Sequence, residues 1–234
     1  MVSSNRLIPG IIILISAFFF YFSNLDLLFI NTLLVLALYD LKFSRFISLL
    51  SSILIFILFN VYFYFEYLIN FQNIITIIFL LVFTLSIVSK KKLFFIFTII
   101  LFFIFSYKLL LLDRNFFFIL MAISFLNDTS AYLVGKNLGG PKIIPFISPN
   151  KTWSGTSVSF LITLITLLLL KVNIYFSVIL AISFFLGDIY FSYFKRLYKI
   201  NDFSNLLYGH GGTLDRLDSI FLSIFLGYNF LNFS

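Results

Sequence analysis

Apolar runs close to the length of a bilayer crossing, ~20 residues as a helix, recur from one end of this chain to the other. A segment in lipid must satisfy its backbone N–H and C=O groups internally, so runs of this kind fold as helices. Cutting the sequence at its polar breaks predicts spans near 8–22, 26–41, 47–65, 73–89, 93–111, 115–134, 156–170, 174–194 and 217–233. The expected fold class is all-α, a polytopic integral membrane helical bundle of about nine transmembrane helices. It reads as one membrane domain, with N-terminal helices over 1–114 and a motif-bearing region with loops over 115–234. Composition agrees, since 11% of the residues are charged where a soluble domain carries about a quarter. The first run follows Arg6 and precedes Asn24 without a small-residue cleavage site, which reads as a retained helix rather than a signal peptide.

The formal net charge is +7, and the placement of the basic residues decides what that charge is for. With the N-terminus inside, one face receives Arg6, Lys42, Arg45, Lys90, Lys91, Lys92, Lys136, Lys142, Lys151, Lys195, Arg196, Lys199 and Arg216. The other receives Arg114 and Lys171, and Lys108 falls within the fifth span. Short loops biased in this way orient a membrane protein with its basic side in the cytoplasm. The basic loops then meet anionic lipid headgroups, and nucleic acid is not an expected partner.

Cysteine is absent and histidine occurs once, which excludes disulfides, thiolate nucleophiles and Cys/His zinc sites. Only carboxylates, hydroxyls, amides and backbone remain to hold a metal, and such donors suit hard ions such as magnesium. Residues 1–112 are apolar spans with little polar chemistry, whereas 127–219 carry Asp128, Asp188, Asp202, Asp215, Asp218 and most of the glycines. A candidate site therefore belongs to the second half.

In FLNDTSAYLVGK, Asp128 falls inside an apolar helix with Tyr132 and Gly135 on its face. An aspartate there is costly without water, a cation or a partner, so a functional role is the default and a hydrogen bond to a neighbouring helix the alternative. The loop GKNLGGPKIIPFISPNKTWSG offers glycines for close backbone approach and lysines for phosphate or lipid headgroups. It lacks the Lys-Ser/Thr of a Walker A loop. In LGDIYFSYFKRLYK, the spacing of Asp188, Ser192, Lys195 and Lys199 predicts one helical stripe able to hold a metal and phosphates together. Snorkelling lysines above one buried Asp are the bland counterpart. In GHGGTLDRLDS, Asp215 and Asp218 stand three apart at the start of the last predicted span, so both carboxylates can face one point. Two adjacent acids repel unless a cation lies between them, and a divalent ion answers that need. Gly209, Gly211 and Gly212 would let the backbone approach a ligand, and His210 could donate to phosphate.

Together these stretches resemble the phosphatidate cytidylyltransferase, or CDP-diacylglycerol synthase, family. The ordered signature is present as Ser192, Lys195, Arg196, Asp202, His210, Gly211, Gly212, Asp215, Arg216 and Asp218. Asp128 with Ala131, Tyr132 and Gly135, and the segment ISPNKTWSG, agree with it upstream. Asn201, Tyr208, Thr213 and Ser154 depart from the family's usual residues, and Lys199 is the candidate to supply the charge missing at Asn201. The resemblance implies transfer of CMP from CTP to phosphatidic acid, giving CDP-diacylglycerol and pyrophosphate, in phospholipid biosynthesis. It implies Mg²⁺, with room for a monovalent cation, and a catalytic set of Asp188, Ser192, Lys195, Arg196, His210, Asp215 and Asp218. Asp188, Asp215 and Asp218 would be its metal ligands. Asp128, Lys151, Lys199, Gly211, Gly212 and Arg216 would bind substrate, with metal or cytidine both open for Asp128. The partners would be CTP, phosphatidic acid and membrane lipid, with a homodimer compatible. The expected location is a bacterial inner membrane, with the site on the cytoplasmic side.

Two other classes compete. A CTP-dependent polyprenol or phytol kinase would share a loosely similar C-terminal region, but its alcohol acceptor gains from a positioned base, and the complete Lys-Arg to Asp-Arg-x-Asp signature argues against it. A non-enzymatic transporter or scaffold would also bury acids, yet here the polar residues gather at one face.

Overall fold

The computed structural model describes residues 7–66, 72–207 and 211–233. Arg6 and His210 lie outside the described residues, as do Tyr208 and Gly209. The helices are α1 (Leu7–Ser23), α2 (Asp26–Phe43), α3 (Leu49–Glu66), α4 (Gln72–Ser89), α5 (Lys92–Leu112), α6 (Arg114–Leu138), α7 (Trp153–Leu169), α8 (Ile174–Leu197), α9 (Leu214–Leu217) and α10 (Phe221–Phe233). Nine of them follow the nine predicted spans. Three, α5, α6 and α8, meet the length and apolarity of a membrane crossing outright, and parts of α3, α4, α7 and α10 are shorter apolar helices. The lipid-facing surface is Ile, Leu and Phe, as a helical bundle in hydrocarbon needs.

Local chemistry sets the helix starts. Asp113 accepts from Phe116 N–H at 2.9 Å to cap α6, Thr152 accepts from Gly155 N–H at 3.2 Å to cap α7, and Asn173 accepts from Tyr175 N–H at 2.9 Å to cap α8. Contacts between loops reproduce the alternation read from charge. At one end Arg114 pairs with Asp26 at 2.7 Å and donates to the carbonyls of Phe20 and Tyr21. At the other, Lys92 donates to the Arg45 carbonyl at 3.1 Å and the Tyr198 hydroxyl to that of Lys90.

The structure departs from the predicted elements after α6 and before the last helix. The glycine-rich loop after α6 forms a two-stranded antiparallel hairpin, β1 (Lys142–Ile144) with β2 (Ser148–Thr152), pairing Lys142 with Thr152 and Ile144 with Ser148. Pairing of the two strands satisfies part of the loop's backbone. The last span starts later than predicted: α9 is a single turn carrying Asp215, residues 218–220 turn, and α10 begins at Phe221.

The core lies between α5, α8 and α10 and is largely aromatic. Phe95 stacks on Phe194 at 4.3 Å between ring centroids, and Tyr190 lies parallel to Phe221 at 5.4 Å. Such pairs contribute about 0.5–1.5 kcal/mol each beyond the area they bury. Phe203, fully buried, also packs on Phe95, which ties the chain beyond α8 to this core and sets up the site.

Candidate active site

Asp188 enters the site from α8, one residue after Gly187. A Cβ at Gly187 would lie 2.5 Å from the Asp218 carbonyl oxygen and 2.9 Å from that of Ser219. Only glycine lets the turn before α10 rest against α8 at this level. Asp188 and Asp218 are brought together this way from positions thirty residues apart.

Around them sit two lysines. Lys151 Nζ reaches Asp188 Oδ2 at 2.5 Å, with Phe185 below the ammonium, while Ser192 donates to Asp188 Oδ1 at 3.1 Å. Lys195 Nζ reaches Asp215 Oδ1 at 2.8 Å and Asp218 Oδ2 at 3.7 Å. The cation that the sequence demanded between Asp215 and Asp218 is therefore, in this structure, the Lys195 ammonium. Asp215 is held further by Phe203 N–H and Gly212 N–H, each donating to Oδ2 at 2.9 Å. Asp218 Oδ1 accepts from Ser219 N–H at 2.9 Å. Burial, and after it the neighbouring Asp188 charge, push the Asp218 carboxyl well above the usual carboxylate range, against the opposing pull of Lys195.

Asp128, on α6, accepts from Ser219 Oγ at 3.2 Å, and Ser219 Oγ lies 2.7 Å from Ser124 Oγ. Asp128 is thus tied to the turn before α10 rather than to a neighbouring helix, and the same carboxylate also lines the cavity. Arg196 lies exposed at the rim, donating to the Ile147 carbonyl of the hairpin at 3.2 Å and to Asn201 Oδ1 at 3.3 Å. Arg216 lines the cavity wall from α9. Lys199 does not extend the stripe of Asp188, Ser192 and Lys195. The helix ends at Leu197, and Lys199 sits exposed with φ +56°, outside the cavity lining.

Gly211 and Gly212 each have a structural reason to be glycine. Gly211 turns the chain at φ +87° beside the Asp215 side chain. A Cβ at Gly212 would lie 2.6 Å from Oδ1 of Asp40 and in collision with the rest of that carboxylate. Asp40, on α2, is fully buried, and sequence reading missed it although the argument applied to Asp128 covers any aspartate inside an apolar span. Gly187 was missed as well; a glycine inside a helical pattern beside Asp188 was its signal.

The site opens into a cavity of about 910 Å³. Asp128, Asp188, Ser192, Lys195, Arg196, Asp202, Asp215 and Arg216 form its polar end, with Ser148, Pro149 and Asn150 of the hairpin at the side. From there it continues between α1 and α6 past Met121 and Phe118 to Tyr21 and Asn115. Asp128 and Asn115 are thirteen residues apart on α6, roughly 20 Å at a helical rise of about 1.5 Å. The arrangement offers a cationic and carboxylate chamber joined to an apolar arm.

For a hard cation the donors are right in kind, since every candidate is a carboxylate or hydroxyl oxygen. Among the described residues no group of three Asp, Glu or His side chains closes on one point. Lysine ammonium groups instead neutralise Asp188, Asp215 and Asp218, and so mark where positive charge is required.

Comparison with known proteins extends these observations. The model of the cytidylyltransferase family matches residues 4–234. The phosphatidate cytidylyltransferase of Rickettsia bellii (strain RML369-C) is 43% identical over 112 residues, covering 41% of this chain and 48% of the relative. That of Bacillus subtilis (strain 168) is 37% identical over 131 residues, 51% of this chain and 49% of the relative. That of Staphylococcus aureus (strain COL) is 43% identical over 107 residues, with 42% and 41% covered. The matches thus span about half the length of these curated relatives or somewhat less.

Proposed function

The chain belongs to the cytidylyltransferase family, and from that premise we propose that it transfers CMP from CTP to phosphatidic acid, releasing pyrophosphate. One observation carries the reading. Ser192, Lys195 and Arg196 of α8, Asp202 of the following loop, and Asp215 and Arg216 of α9 line the polar end of a cavity whose other end is an apolar arm between α1 and α6. Such a space suits a triphosphate at one end and a lipid tail at the other. The names of the relatives support the same substrates.

In the proposed reaction an oxygen of the phosphatidate phosphate forms a bond to the α-phosphorus of CTP, and the bond from that phosphorus to the β-bridging oxygen breaks. Pyrophosphate carries away the electron pair. A phosphomonoester has a second pKa of about 6, so the attacking oxygen is already largely ionised at neutral pH and no strong general base is needed. The protein must instead neutralise charge and align the two phosphates. Lys195 lies at the polar end and Lys151 beside it on Asp188, each paired with a carboxylate it can exchange for phosphate. Arg196 and Arg216 stand at the wall and rim. Ser192 holds the Asp188 carboxylate in orientation. Asp188, Asp215 and Asp218 offer oxygen donors of the kind Mg²⁺ takes, although the three do not close on one point here; an ion bound among them would add to the neutralisation of the triphosphate. The charge bias of the loops supports a site facing the cytoplasm, in the inner membrane of a bacterium.

The test follows the label. Purified protein in detergent with Mg²⁺ and phosphatidate is expected to move α-labelled, not γ-labelled, phosphate from CTP into lipid. Movement of γ-label into an added polyprenol would make this a kinase and overturn the reading.

A pH effect follows from Asp218. Its carboxyl keeps a proton above the usual range, and a cation binds only the ionised form, so binding releases that proton. The Mg²⁺ concentration giving half-maximal transfer should therefore fall as pH rises through the raised pKa. In Asp218→Asn that component of the pH dependence should be lost. Titration of initial rates with Mg²⁺ at a series of pH values measures both; a midpoint independent of pH in the unaltered protein would count against the assignment.

A further inference from the structure

We propose that Asp40, in the N-terminal half, is a positioning residue for the catalytic loop. It would act by clamping the two chain segments that hold Asp215. The inference rests on the catalytic reading above only for what the clamp is for. Asp40 Oδ1 accepts from Ser204 Oγ at 2.5 Å, and Oδ2 accepts from Leu214 N–H at 2.8 Å. Ser204 adjoins Phe203 and Leu214 adjoins Asp215, while Phe203 N–H and Gly212 N–H are the two backbone donors to Asp215. One carboxylate on α2 thus fastens both sides of the bracket in which Asp215 sits. Gly212 completes the fit, because its missing side chain is the space the Asp40 carboxylate fills. The contact spans 164 and 174 residues of sequence. It uses no substrate atom, since Asp40 is fully buried and absent from the cavity lining.

A buried carboxylate with both oxygens engaged restrains its partners strongly, and removing it leaves their donors without an acceptor. Asp40→Ala should lower kcat by at least about tenfold with KM for CTP shifted less than about threefold, as expected for lost alignment rather than lost binding. Asp40→Asn should keep at least about a third of the turnover, because its carbonyl can still accept from Leu214 N–H and its NH₂ can donate to Ser204 Oγ. Gly212→Ala should be as harmful as Asp40→Ala alone. The double variant should be no worse than Asp40→Ala, since the added methyl then occupies the vacated space.

Amide exchange gives a reading that needs no turnover. In detergent-solubilised Asp40→Ala that remains monodisperse, residues 203–207 and 211–214 should exchange at least about tenfold faster, with α5 and α8 unchanged. Folded Asp40→Ala with unaltered exchange, or Gly212→Ala and Asp40→Ala effects that simply add, would overturn the clamp. Unaltered protein that transfers no CMP yet shows the expected exchange difference would refute the catalytic reading and leave the clamp standing. If Asp40→Ala yields no folded protein, Ser204→Ala carries the same test, with faster exchange at 203–207 expected and unchanged exchange contrary.

Discussion

Asp215→Asn is expected to reduce CMP transfer by about 10²–10³-fold, the usual loss when one electrostatic group is removed from a reaction centre. It should also cost the fold about 3 kcal/mol, the scale for breaking a buried ion pair. Both effects come from the same atoms. Oδ1 pairs with Lys195, and Oδ2 accepts from Phe203 N–H and Gly212 N–H. An amide has one accepting oxygen, so in either orientation its NH₂ points at an ammonium or at two backbone donors. Burial of the Lys195–Asp215 pair adds the second penalty to the first. Turnover with α-labelled CTP and thermal unfolding in detergent measure the two. Near-normal turnover in a stable variant would remove Asp215 from the reaction.

Gly187→Ala is expected to lower turnover by about 100-fold while costing only about 1–3 kcal/mol of stability. The added methyl meets the carbonyl oxygens of Asp218 and Ser219. Both belong to main chain held between α9 and α10, so the turn itself must move. A shift near 1 Å there carries Asp218 away from Lys195 and Ser219 away from Asp128, enough to misalign reacting groups. Activity per folded molecule, set against the unfolding temperature, separates the two effects; wild-type turnover would show that the turn is not needed where it lies.

The helices were legible because hydropathy is a local property. Their predicted bounds for α5, 93–111 against Lys92–Leu112, and α8, 174–194 against Ile174–Leu197, differ by a few residues at the ends. The signature around Ser192, Lys195, Asp215 and Arg216 was legible as well, and the fold gathers those residues at one end of a cavity. Lys199 was misplaced because periodicity was carried past Leu197, where the chain leaves the helix with a positive φ. The hairpin was missed because a loop rich in glycine and proline carries no alternation over strands as short as three and five residues.

By itself the sequence determined that this chain is a membrane-embedded helical bundle that carries an ordered polar motif from Asp188 to Asp218. Transfer of a helix into lipid depends on the residues of that helix, and the motif is contiguous enough to be read in order. Only the tertiary structure decided that Lys195 stands between Asp215 and Asp218, that Gly187 admits the turn beneath them, and that Asp40 belongs with a loop 164 to 174 residues away. Those contacts depend on how α2, α8 and α9 pack, and packing is a property of pairs of surfaces rather than of any one segment.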